Sequence, residues 1–132
     1  MALSNGTGGY QIGAGAANEP LLFQQGAPTA VAAAATMTAA QLLNGLFVFN
    51  GTAGDLTLPT VALLEAALPS AERVNIAFDF IVINADATTD DVTLVAGTGW
   101  TIVGSPIVTE LTGVQFRARK TGDGAWTAYR IS

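Results

Sequence analysis

Residues 114–131 read Val-Gln-Phe-Arg-Ala-Arg-Lys-Thr-Gly-Asp-Gly-Ala-Trp-Thr-Ala-Tyr-Arg-Ile, two alternating runs around a Gly-Asp-Gly turn. Gly followed by a polar residue suits the centre of a two-residue hairpin loop, so the stretch predicts a β-hairpin with Gly122 and Asp123 at its tip. Counting outward sets Phe116 opposite Tyr129 and Val114 opposite Ile131. Side chains alternate between the two faces of a strand. This register therefore puts Val114, Phe116, Ala118, Thr127, Tyr129 and Ile131 on an apolar, core-forming face. Gln115, Arg117, Arg119, Trp126, Ala128 and Arg130 share the other face, which is basic.

Working back from the hairpin, residues 75–84 (Asn-Ile-Ala-Phe-Asp-Phe-Ile-Val-Ile-Asn) form the strongest strand signal. They are apolar on both faces, which predicts a central strand covered on both sides. Asp79 is the only charge in it. A buried carboxylate is costly unless paired, and Arg117 and Arg119 are the partners expected for it. Shorter strands are expected over residues 46–50, 55–58, 92–96, 100–103 and 107–110, separated by glycine-bearing turns. This spacing fits an antiparallel β-sandwich or a jelly-roll-like barrel. Two short helices interrupt it. Thr38-Ala-Ala-Gln41 is a capping box closed by Asn44-Gly45, and Thr60 caps a segment through Leu68 with Val61, Leu64 and Leu68 at helical spacing. No internal repeat is evident.

Residues 1–28 have a different character. They are rich in Gly, Ala, Asn and Gln and show neither helical nor strand periodicity, which predicts an extended arm ahead of a domain over residues 29–132. The large residues of the arm, Leu3, Tyr10, Ile12, Leu21, Leu22 and Phe23, are spaced like anchors for pockets on a partner.

Composition narrows the function. The chain has 132 residues, half of them apolar, only 11% charged, with a net charge of −5. That charge fraction is well below the roughly 25% of an average soluble domain, so burial of surface against other chains is expected. The acidic balance argues against a general nucleic-acid binder, which needs a basic footprint. The sequence contains no Cys and no His, which rules out Ser-His and Cys-His nucleophilic pairs and disulfides; no enzymatic activity and no cofactor or metal are expected. Asp86, Asp90 and Asp91 are clustered oxygen donors, but their spacing does not match a calcium loop. Gly6-Thr-Gly-Gly9 lacks the Gly-Lys-Ser/Thr ending of a phosphate loop. Neither a signal peptide nor a membrane-spanning run is expected. Trp100, Trp126 and Tyr129 could stack on sugar rings, although core packing or a cation–π pair accounts for them as well.

Six motifs follow one another in order: Thr-Ala-Ala-Gln-Leu-Leu-Asn-Gly (38–45), Leu-Thr-Leu-Pro-Thr (56–60), Ala-Ala-Leu-Pro (66–69), Phe-Asp-Phe-Ile-Val-Ile-Asn (78–84), Ala-Gly-Thr-Gly-Trp (96–100) and the hairpin at 116–130. Together they resemble the small domains of tailed-bacteriophage virion proteins, in particular capsid decoration (cement) and head-fibre proteins, over residues 30–132. The resemblance implies a β-rich domain that forms a homotrimer on the outer surface of the phage head. It implies the major capsid protein as partner, an N-terminal segment that grips the shell, and synthesis in the bacterial cytoplasm. Arg117, Arg119 and Trp126 are the residues expected at the oligomer contact, unless that face serves only to pair Asp79. The competing expectation is a tail- or fibre-associated module that recognises host-surface carbohydrate.

Overall fold

The computed structural model describes residues 22–132. Two sheets enclose one core. Strands β1 (Thr29–Val31), β3 (Leu46–Phe49), β5 (Ala77–Asn84), β9 (Thr112–Gly122), β10 (Ala125–Arg130) and β7 (Trp100–Val103) form a six-stranded sheet in the order β1-β3-β5-β9-β10-β7. Strands β2 (Ala35–Thr36), β4 (Gly54–Thr57), β6 (Val92–Val95) and β8 (Ile107–Val108) form a four-stranded sheet in that order. The mainly-β, two-sheet, two-helix architecture is the expected one, and it is sandwich-like.

The pairing is not antiparallel throughout, as the sequence spacing had implied. β1 with β3, β3 with β5, β2 with β4, β4 with β6 and β10 with β7 are all parallel. Only β5 with β9, β9 with β10 and β6 with β8 run antiparallel. The reason lies in the turns. Residues 32–34, 50–53 and 85–91 do not fold the chain back on itself as hairpins. They carry it across the core from one sheet to the other, so each strand finds its partner in the next turn of the chain. The result is a stack of three rungs, β1–β2, β3–β4 and β5–β6. Helices α1 (Ala39–Asn44) and α2 (Val61–Ala67) return the chain from the four-stranded to the six-stranded sheet. Gly51 marks how tightly the rungs lie: a Cβ there would overlap the Ala32 carbonyl of the turn above it.

Both helices form where expected. Thr38 accepts from the Gln41 amide while the Gln41 side chain accepts from the Thr38 amide, and Gly45 closes α1. Thr60 accepts from the Leu63 amide at the start of α2. Leu42, Val61 and Leu64 are buried in the same core as Phe47, Phe49, Leu56, Phe80, Val82, Leu94, Val114 and Phe116. β5 is central, with Phe80 stacked on Phe116 of β9 at a ring separation of 5.4 Å. It is covered on one face only, however. Phe80, Val82 and Asn84 point inward and are buried, whereas Ala77, Asp79 and Ile81 are exposed.

The closing hairpin forms, but its register is displaced. Gly124 takes a left-handed φ of 66°, which places the tip at Asp123 and Gly124 and pairs Gly122 with Ala125. A bulge between Ala125 and Trp126 follows, so Trp126 pairs with Lys120, Tyr129 with Arg117 and Arg130 with Phe116. A one-residue slip turns every side chain of a strand to the opposite face. The expected inward and outward sets of β10 are therefore exchanged. Trp126 and Ala128 point into the core, Tyr129 lies on the outer face, Ile131 is exposed, and Arg130 leaves the face of Arg117 and Arg119. The larger indole, only 1% exposed, packs against Trp100 and Phe78. The register that buries it removes more apolar surface from water than one burying Tyr129.

If Trp126 is the core residue of β10, Trp126→Ala should destabilise the domain by about 3–5 kcal/mol, whereas Tyr129→Ala should cost about 1 kcal/mol. Urea unfolding followed by circular dichroism measures both, and the reverse ranking would restore the register first read from the sequence.

Candidate interaction surface

The outward side chains of the six-stranded sheet form two adjoining zones. On β3 and β5, Leu46 lies beside Ile81 and Val48 beside Ile83, giving an apolar zone that is half-buried to exposed. Next to it, on β5, β9 and β10, lie Asp79, Gln115, Arg117, Arg119 and Tyr129. Strand alternation produces both zones, because the inward positions of the same strands are taken by Phe47, Phe80, Val82, Val114, Phe116 and Ala118.

The polar zone is internally matched. Arg117 donates from Nε to Asp79 Oδ1 at 2.7 Å and from a terminal nitrogen to Oδ2 at 3.1 Å, and Gln115 Nε2 donates to the same Oδ2 at 2.9 Å. This two-point fork holds the Asp79 carboxyl below its ordinary range and raises Arg117. The expected partnership of Asp79 is thus made by Arg117. Arg119 turns elsewhere: Nε donates to the Tyr129 hydroxyl at 3.0 Å and Nη1 to Asn75 Oδ1 at 2.7 Å, while its guanidinium lies 5.4 Å from the centre of the Tyr129 ring. Asn75 itself sits in the left-handed region at φ 75°, a conformation that asparagine tolerates better than most residues.

Of the three residues expected at an oligomer contact, Arg117 and Arg119 are on this outer face. Trp126 is not. It is buried within the protomer and has no surface to offer a partner. Trp100 is buried too, with its indole N–H donating to the Pro59 carbonyl at 2.7 Å. Neither indole is open for stacking on a sugar. Of the arm residues, Leu22 and Phe23 are 62% and 79% exposed; Leu3, Tyr10, Ile12 and Leu21 lie outside the described residues. Just after Phe23 the chain is fastened to the end of α1. Gln25 Nε2 donates to the Asn44 carbonyl at 2.7 Å, and Asn44 Nδ2 donates to the Ala27 carbonyl at 2.8 Å. Beside this anchorage, Leu43, Leu68, Ala71, Ile76 and Phe78 line an apolar hollow of about 350 Å³.

Two buried polar groups escaped the sequence reading. Lys120 continues the inward parity of Val114, Phe116 and Ala118, and the signal was legible there, but its charge disguised it. Its ammonium donates to the Ala71 carbonyl at 2.9 Å and lies 3.2 Å from Glu65 Oε1, which also accepts from the Trp126 indole at 3.1 Å. Asn84 is fully buried. Its amide donates to the carbonyls of Asp90 and Val108, and its oxygen accepts from the Asp86 amide, pinning the 85–91 crossing to β8. In that crossing Asp86 accepts from the Thr88 amide and Asp90 from the Thr88 hydroxyl. Among the described residues, no three carboxylates converge on a common point that could hold a metal.

A scan of protein-family models and searches of curated proteins and of solved structures find no match to this chain.

The indole donor, followed by Lys120, holds the Glu65 carboxyl below its ordinary range despite partial burial. A carboxyl whose pKa is lower folded than unfolded contributes stability above the unfolded value and loses it as the pH falls through the folded one. Stability should therefore drop on acidification from about pH 5 to pH 3, and Glu65→Gln should shallow that drop. Asp79 acts in the same direction, so the variant reduces the slope without abolishing it. Urea midpoints measured across this range provide the check, and equal slopes in the two proteins would remove Glu65 from the account.

Proposed function

We propose that this chain is a structural, non-enzymatic protein of a tailed-bacteriophage virion, one that binds the outer surface of the head and cements neighbouring capsid subunits as a homotrimer. The observation that carries this reading is the strap at the start of the domain. Leu22 and Phe23 are two successive large apolar side chains held out in water, and the residues immediately after them are fastened to Asn44. Exposed apolar pairs of this kind gain free energy only when a partner covers them. Anchorage close behind them limits the entropy lost on docking. The domain would then serve as a rigid base from which several arms engage the shell at once, and multivalency would make the assembly hold far more tightly than one arm. The low charge content and the buried, hydrogen-bonded indoles favour this reading over a carbohydrate-binding module.

Purified protein mixed with empty expanded heads should co-sediment with them. Deletion of residues 1–24, which spares the Gln25–Asn44 anchorage, should reduce binding by at least an order of magnitude, and the double substitution Leu22→Asp with Phe23→Asp should act in the same direction. Retention on a glycan array with no binding to heads would overturn the proposal in favour of a host-recognition module.

A further inference from the structure

Among the described residues, the first rung of the stack is open on its far side. β1 ends the order of the six-stranded sheet and β2 ends that of the four-stranded sheet, so both sheets expose an edge at the same end of the molecule. The Val31 carbonyl accepts from Asn50 and the Met37 amide donates to Thr57, which turns these residues toward the second rung. By alternation, the amide and carbonyl groups of Ala30 and Thr36 point away from it, and both residues are exposed. Between the edges, residues 32–34 form an exposed turn of three alanines. Its other side already meets the Gly51 turn in backbone contact.

Exposed strand edges are usually guarded by shortness, proline, lysine, an inward charge or a bulge. β1 and β2 are short, three and two residues, and Pro28 precedes β1, but no charge guards them: from Pro20 to Gly54 the sequence contains no Asp, Glu, Lys or Arg. Apart from Glu19, every charge lies from Asp55 onward. Two copies approaching elsewhere bring like net charge together, whereas at this end they meet neutral surface.

We infer that the open edge of β1 pairs with the β2 edge of a second copy of this chain and the open edge of β2 with the β1 edge of a third, so that the uncharged ends of three protomers close a ring. A partner for each edge must present another open, uncharged strand, with side chains as small as alanine beside it. Another copy has that shape by construction. When β1 of one copy pairs with β2 of the next around a closed ring, no copy is left with a free edge at this end. This inference deepens the homotrimer part of the proposed function and relocates the contact from Arg117 and Arg119 to the uncharged end. It does not depend on binding to heads.

The test uses the full chain without heads. Light scattering should give a mass above the 13.4 kDa of one chain, and Ala30→Pro and Thr36→Pro should each shift the protein toward that single-chain mass. Neither outward-facing N–H takes part in the pairing to β3 or β4, so the far-ultraviolet spectrum should be retained. Amide exchange of the unsubstituted protein gives a reading free of any folding defect: the Ala30 and Thr36 amides should be protected at high concentration and lose that protection on dilution. A single-chain mass at about 100 μM would overturn the inference, as would an oligomer unchanged by either proline. Protection of both amides at a concentration where the protein is a single chain would also overturn it, and would assign the covering strand to residues 1–21. Loss of head binding by Leu22→Asp with Phe23→Asp while the oligomer persists separates failure of the arm from failure of this contact.

Discussion

Trp126 sits where β10, β5 and α2 meet, and the rest of that end of the molecule depends on how it is held. Its ring fills the space between Trp100 and Phe78, and its only polar atom is taken by Glu65. That carboxylate in turn receives the buried Lys120 ammonium, whose remaining reach is used by the Ala71 carbonyl. A buried cation is tolerable only with such partners, and each member of this group comes from a different part of the chain. α2, the segment following it, β9 and β10 are thereby locked to one another. The bulge that sets the register of β10 is the backbone adjustment that lets the indole reach this position.

Sheet order follows from a second constraint, close approach between successive turns. The Ala32 turn and Gly51 touch through backbone atoms, which requires small residues and leaves little room for charge. The chain meets this by keeping its first 54 residues almost free of ionisable groups. The same economy leaves an uncharged end on one side of the domain and a charged body on the other. A polar, internally matched zone of Asp79, Arg117, Gln115, Arg119 and Tyr129 lies on the outer sheet face. Because these groups are already paired with each other, a partner covering them would have to replace interactions as well as add them. The neutral edges and the exposed Leu22–Phe23 pair carry no such obligation.

Much of the local structure was legible in the sequence. The capping box of α1, the Thr60 cap of α2, the strand at 77–84, the inward parity of Val114, Phe116 and Ala118, and the partnership of Asp79 with Arg117 all follow from residues a few positions apart or from one charge opposite another. Caps work because a side chain reaches an amide three residues on. Alternation works because a strand has only two faces.

What the tertiary structure alone decided is where the hydrogen bonds of each strand go. The turns at 32–34, 50–53 and 85–91, of which only the second contains a glycine, carry the chain between sheets instead of folding it back, which makes the stack parallel, and the unequal lengths of the crossings hide the three-rung repeat from any search for a fixed period. The face of β10, the burial of Trp126 and the exposure of one side of β5 depend on a single bulge and on which layer covers which face. Local signals are settled within one turn of chain. Register and pairing compare alternatives that differ by whole rows of buried side chains, and only the complete core contains those rows.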